Sequence, residues 1–149
     1  MHPLIRLAPL SLALLLVACL PWSAVGVAQD RPALVWLGGY RSDMSGTKAI
    51  EMDALAAEQG ITAIRFDYSG HGVSGGDFAK GTISRWTEEA LAVIAASGVS
   101  KVVLIGSSMG GWIALRVIQE ARRLNLPFTV DGLVLIAPAP DFTSELIAP

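Results

Sequence analysis

The 149 residues predict an α/β fold built on an open parallel sheet, and three observations carry that expectation. Four short apolar runs recur along the chain, each rich in β-branched or aromatic residues. The runs are continuous instead of alternating, as in strands covered on both faces. Stretches with helical periodicity separate them, so the order reads βαβαβαβ, which right-handed crossovers wind into one parallel sheet.

The first strand is expected over Ala33–Leu37 (ALVWL). A helix over Thr47–Gln59 follows, with Ile50, Ala54 and Ala57 read as its inward stripe and Gly60 as its stop. The second strand is Thr62–Phe66 (TAIRF). The next helix, Ile83–Ser97, repeats Ile83, Trp86, Ala90 and Ile94 at helical steps before Gly98 ends it. Lys101–Ile105 (KVVLI) is the third strand and Met109–Leu124 the third helix, with Ile113, Val117 and Ala121 inward and Asn125 then Pro127 closing it. Gly132–Ile136 (GLVLI) is the fourth strand. No internal repeat interrupts the series, so one domain is expected from about residue 30 onward.

Composition narrows the function. A hydrophobic fraction of 52% and a charged fraction of 16% exclude a disordered chain. The formal charge of -2 and the lack of a dense basic run argue against a nucleic-acid partner. Cys19 is the single cysteine and His2 and His71 the two histidines, so neither a disulfide framework nor a cysteine-rich metal site can form within one copy, and no metal-ligand cluster is visible.

Residues 1–28 have the shape of an export leader: a short start with one arginine, then the apolar Leu7–Val17. Pro9, Pro21 and Gly26 make this stretch a poor permanent membrane span. Leu16-Val17-Ala18-Cys19 is similar to a bacterial lipobox, which makes Cys19 a lipidation candidate and the protein a candidate exported, periplasmic lipoprotein. Two alternatives stand beside that reading: a leader cleaved elsewhere, for instance after Ala28, or a misassigned start on a cytoplasmic protein. A membrane is expected as a partner only through this leader or its lipid.

The chemistry-bearing segment follows the third strand. Gly106-Ser107-Ser108-Met109-Gly110 is a G-x-S-x-G pentapeptide set between an apolar strand and an amphipathic helix, the setting a nucleophile elbow requires. The sharp turn leaves no room for side chains at Gly106 and Gly110 and strains the residue at its apex. Ser108 is then the candidate nucleophile, and Ser107 is expected to face away. The N–H of Met109 is the first candidate oxyanion donor. The loop after the first strand, Gly38-Gly39-Tyr40-Arg41-Ser42, offers the second, assigned to Tyr40.

The strings LGGYRSDMSGTKA, IRFDYSGHGVSGGDF, GTISRW, LIGSSMGGWIAL and LVLIAPAPDF resemble the α/β-hydrolase superfamily, in the branch of abhydrolase domain-containing protein 10, a palmitoyl-protein thioesterase and acyl-glucuronide esterase, with its bacterial relatives. The resemblance implies an open sheet of the α/β-hydrolase type and a cofactor-free serine hydrolase acting on a small acyl ester or thioester, with Ser108 at the nucleophile position. In this fold the acid and the histidine follow the serine along the chain. His71 precedes Ser108, so His71 and the nearby Asp67 are read as parts of a structural loop. Gly38 stands where many members of the family carry a histidine, and Asp141 resembles a loop residue more than a triad acid. Residues 30–149 are therefore expected to form the N-terminal part of such a domain, nearly inactive alone, with Gly132–Ile136 as an apolar edge strand.

Overall fold

A computed structural model describes residues 31–141; the leader and Cys19 lie outside the described residues. The elements are β1 (Ala33–Leu37), α1 (Thr47–Glu58), β2 (Ala63–Ile64), a short 3-10 turn (Phe78–Lys80), α2 (Ile83–Ala96), β3 (Lys101–Ser107), α3 (Met109–Leu124) and β4 (Thr129–Ile136). The strands form one parallel sheet in the order β2-β1-β3-β4. All seven expected elements are present, and every crossover strand is parallel to its neighbour.

Alternation along the strands separates two cores. Ala33, Val35 and Leu37 of β1 and Val102 and Leu104 of β3 face α2 and α3, where Trp86, Ile94, Ile113 and Val117 are buried against them. Burying side chains of this size stabilises by about 1.5–3 kcal/mol each relative to leaving them in water. Trp36, with Leu34 and Ile105, faces α1 on the other side of the sheet.

That second face corrects one sequence reading. The inward residues of α1 are Ala49, Met52 and Ala56, whereas Ile50 is 45% exposed and Ala54 and Ala57 are also exposed. Ala49 and Met52 pack in one cluster with Trp36. Strand β2 is shorter than expected, since only Ala63 and Ile64 pair with Leu34 and Val35 of β1. Strand β4 is longer, because Thr129 and Val130 pair with Lys101 and Val102 ahead of Gly132.

The helix ends follow ordinary capping chemistry. Thr82 Oγ1 accepts the Arg85 N–H at 3.1 Å at the start of α2. Gly60 (φ 63°), Gly98 (φ 74°) and Asn125 (φ 49°) supply the left-handed residues that end α1, α2 and α3. At the rim of the sheet, Leu133, Val134 and Leu135 of β4 are exposed, as an apolar edge strand requires.

Candidate active site

Ser108 stands between the end of β3 and the start of α3 with φ 55° and ψ -120°, a backbone conformation that L residues seldom adopt. The glycines on either side have steric causes. A Cβ on Gly106 would lie 2.5 Å from the Gly110 carbonyl oxygen, and one on Gly110 would overlap the Leu37 carbonyl. Both are therefore confined to hydrogen by the backbone of β1 and the first turn of α3. Met109, the first residue of α3, has its side chain fully buried, and its N–H belongs to the turn that has no helical acceptor.

The loop after β1 meets this elbow. Gly39 is so close that a Cβ there would be 3.3 Å from Ser108 Cβ. Gly39 opens a tight turn: its carbonyl accepts the Ser42 N–H at 3.2 Å and the Ser42 hydroxyl at 2.8 Å, and Arg41 takes a positive φ of 55° within it. Trp36, Gly39, Tyr40, Ser42, Lys48 and Ser108 are among the walls of a cavity of about 280 Å³. Ser107, expected to turn away, also belongs to this lining. A hydrogen-bonded Ser45 holds the nearby Asp43 carboxyl below the usual carboxylate range.

This placement follows from topology. The chain leaves β1 toward β2 on one side and continues through β3 to β4 on the other, so a crevice opens at the carboxyl ends of β1 and β3. Gly38–Ser42 and Ser107–Ser108 border that crevice. A larger hollow of about 480 Å³, among Ile118, Asn125, Phe128 and Thr129, lies at the opposite end of β4 and is remote from the elbow.

His71 is not brought to Ser108. Its side chain is 3% exposed and sits edge-on to Trp86 (ring centroids 5.0 Å), Phe78 (5.1 Å) and Tyr68 (5.6 Å). Nδ1 is 3.3 Å from the Ser69 carbonyl, and Nε2 is buried without a protein partner. Phe78 also packs on Tyr40 at 4.9 Å, so it stands between the histidine and the crevice loop. Burial first, and then the Glu89 charge, push the neighbouring Tyr68 phenol above its usual range. Asp141 is exposed in the turn after β4 with φ 55°.

Sequence reasoning missed the braces around the site. Asp67 Oδ1 accepts the Met44 N–H at 2.7 Å and its Oδ2 accepts the Val73 N–H at 3.1 Å. Arg65 donates to the Met44 carbonyl at 2.8 Å while its Nε pairs with Asp53 at 3.0 Å. A Cβ on Gly72 would strike the Asp67 carboxylate, and that Asp-to-Gly spacing was the readable signal.

Among the described residues, no group of three or more His, Cys, Asp or Glu is placed to hold a metal ion, and no helix is long and apolar enough to cross a membrane. Comparison with known proteins places the geometry. The Hydrolase_4 family model, described as serine aminopeptidase, S33, matches residues 29–149. Human mitochondrial palmitoyl-protein thioesterase ABHD10 is 34% identical over 110 residues, which cover 74% of this chain and 34% of that protein. A crystal structure of a hydrolase from Agrobacterium vitis S4 superposes with a TM-score of 0.77 at 66% identity, covering 81% of this chain and 47% of that one. Mouse alpha/beta hydrolase domain-containing protein 10 gives a TM-score of 0.70 at 32% identity over the same shares. The chain thus spans about a third of the human thioesterase and about half of each solved chain. With the parallel sheet, the strained serine between strand and helix, and a family match that takes in all the described residues, the chain belongs to the Hydrolase_4 family of α/β-hydrolase serine hydrolases.

Proposed function

We propose that Ser108 is the nucleophile of an ester or thioester hydrolysis that passes through an acyl-enzyme. The observation that carries this reading is the positive φ of Ser108 at a strand-to-helix junction, with Gly39 of the crevice loop in contact with it. The serine oxygen attacks the acyl carbon and gives up its proton to a general base as the tetrahedral oxyanion forms. Collapse of that intermediate expels the alcohol or thiol, which takes the proton. Water, activated by the same base, then releases the carboxylic acid and restores Ser108.

The N–H groups of Met109 and Tyr40 are the proposed oxyanion donors. Each such preorganised donor lowers the barrier by roughly 3 to 4 kcal/mol. The positive end of α3 adds to the same field. The substrate class is a small acyl ester or acyl thioester. Similarity to the palmitoyl-protein thioesterase favours the thioester, and no cofactor enters the scheme.

A serine hydroxyl without a base is a weak nucleophile, and His71 is enclosed by aromatic rings. The base and its acid partner are therefore assigned to residues outside the described part of the protein, after Ser108 in chain order. A rival reading, a binding module that holds an ester without cleaving it, draws on the absence of a base at Ser108 among the described residues. A labelled fluorophosphonate applied to the full-length gene product separates them: labelling lost in Ser108→Ala is expected of the enzyme. Equal labelling of both forms, or labelling of neither, removes the nucleophile assignment.

A further inference from the structure

We propose that the segment Ile136–Ala139 is a backbone strap that orients the nucleophile's own peptide unit, with the Ala139 N–H as its positioning group. This inference rests on the reading of Ser108 as nucleophile and adds to it a positioning residue that acts through the Ser108 peptide unit.

The strap grows out of the sheet. Strands β3 and β4 run in register from Val103 opposite Gly132 to Ser107 opposite Ile136. Ser108 continues the ladder with one bond, its N–H donating to the Ile136 carbonyl at 3.0 Å. In a regular parallel ladder the Ser108 carbonyl would next accept the N–H of residue 138. Residue 138 is proline and has no N–H. The chain resolves this by taking Ala137 to a positive φ of 43°, so that Ala139 arrives one residue late and donates to the Ser108 carbonyl at 3.1 Å. The insertion is a bulge placed directly opposite the strained serine.

Pro138 is seated as well as inserted. A Cβ on Gly111, in the first turn of α3, would lie 2.7 Å from Pro138 Cβ, so the ring abuts the helix that begins at the elbow. The Gly111 N–H donates to the same Ser108 carbonyl at 2.9 Å. Both main-chain polar groups of Ser108 are thereby engaged, and its carbonyl receives two donors.

The chemical consequence comes from peptide planarity. The Ser108 carbonyl and the Met109 N–H belong to one rigid peptide unit and point in opposite directions. Donors that hold the carbonyl down toward Ala139 and Gly111 aim the Met109 N–H the other way. Removing the Ala139 donor leaves the carbonyl on the Gly111 N–H alone and loosens the orientation of that plane, so the loss falls on the reaction step and leaves ground-state binding in place.

The test uses the full-length gene product and a labelled fluorophosphonate, with the maximal labelling rate and the half-saturating probe concentration measured separately. Ala139→Gly keeps the donor and is expected to label like wild type. Ala139→Pro, and an amide-to-ester replacement at the Pro138–Ala139 linkage, delete it. The ester form is expected to lose roughly tenfold or more in maximal rate, as small misplacements of reacting groups do, with half-saturation unchanged and the protein still fully folded at the assay temperature despite the small stability cost of one lost hydrogen bond. If Ala139→Pro does not fold, the ester form decides alone. A wild-type maximal rate in the ester form overturns the strap, and so does a loss that merely follows a fall in Tm. Labelling of Ser108→Ala at the wild-type level overturns the nucleophile reading itself, a result distinct from either.

Discussion

The main-chain N–H of Met44 donates to the Asp67 carboxylate at 2.7 Å, and this bond ties the loop that borders Ser108 to the loop that follows β2. Val73 uses the second carboxylate oxygen and Arg65 takes the Met44 carbonyl, so the crevice loop is gripped by residues that flank an edge strand of only two residues.

Asp67→Asn keeps one acceptor but sets an amide N–H₂ against either the Met44 or the Val73 donor. Hydrogen bonds to a charged group contribute about 1.5–3 kcal/mol, and a loss of that order is expected in urea denaturation. Amide exchange over residues 39–46 should accelerate as well. Unchanged exchange there would show that the loop is held by something else.

Gly110→Ala places a methyl group on the Leu37 carbonyl. Overpacking typically costs 1–3 kcal/mol, and a backbone obstacle that cannot rotate away puts this variant at about 3 kcal/mol or more. Gly75→Ala, where nothing lies within 4 Å of the added carbon, serves as the control and should be close to neutral. Equal denaturation midpoints for the two variants would refute the steric account of the elbow.

Glu89 links α2 to the loop after β2. Burial raises its carboxyl, but hydrogen bonds from Ser69 and the Arg85 guanidinium outweigh burial and hold it below the ordinary carboxylate range. A carboxyl depressed in the folded state adds stability above its unfolded pKa, and that stability is lost as pH falls through the folded value. Stability of the wild type should therefore decline as pH drops through and below the ordinary carboxylate range, and Glu89→Gln should flatten that decline. Parallel pH profiles for the two proteins would exclude the contribution.

His71 offers the opposite case, a buried ring nitrogen, Nε2, with no protein partner among the described residues. His71→Phe removes that burden along with the 3.3 Å contact to Ser69 and keeps a ring among Trp86, Phe78 and Tyr68. The two effects oppose each other, so stability should change by no more than about 1 kcal/mol. Fluorophosphonate labelling of Ser108 should persist. Abolished labelling in a folded His71→Phe protein would return this histidine to the reaction.

Much of this was legible in the sequence because strands buried on both faces leave continuous apolar runs, as in ALVWL and KVVLI, and because a glycine-flanked serine between strand and helix has few other uses. Helix α1 was misread for a physical reason: Ala49, Ile50, Met52, Ala54, Leu55, Ala56 and Ala57 put apolar groups on every side, so periodicity alone did not single out the Ala49, Met52 and Ala56 face that meets the sheet. The start of β4 was hidden by Asp131, a charged residue that breaks the apolar run ahead of Gly132, whereas pairing with β3 carries the strand back to Thr129. The Ala139 donor left no signal, since a main-chain contact across thirty-one positions of sequence, 108 to 139, writes nothing into side-chain periodicity.

The order β2-β1-β3-β4 sets the two loops that meet at Ser108 on adjoining inner strands. Growth of the sheet at either rim would leave the spacing of those loops as it is. Changes at the margins of such a molecule can therefore reshape what surrounds the crevice without disturbing its centre.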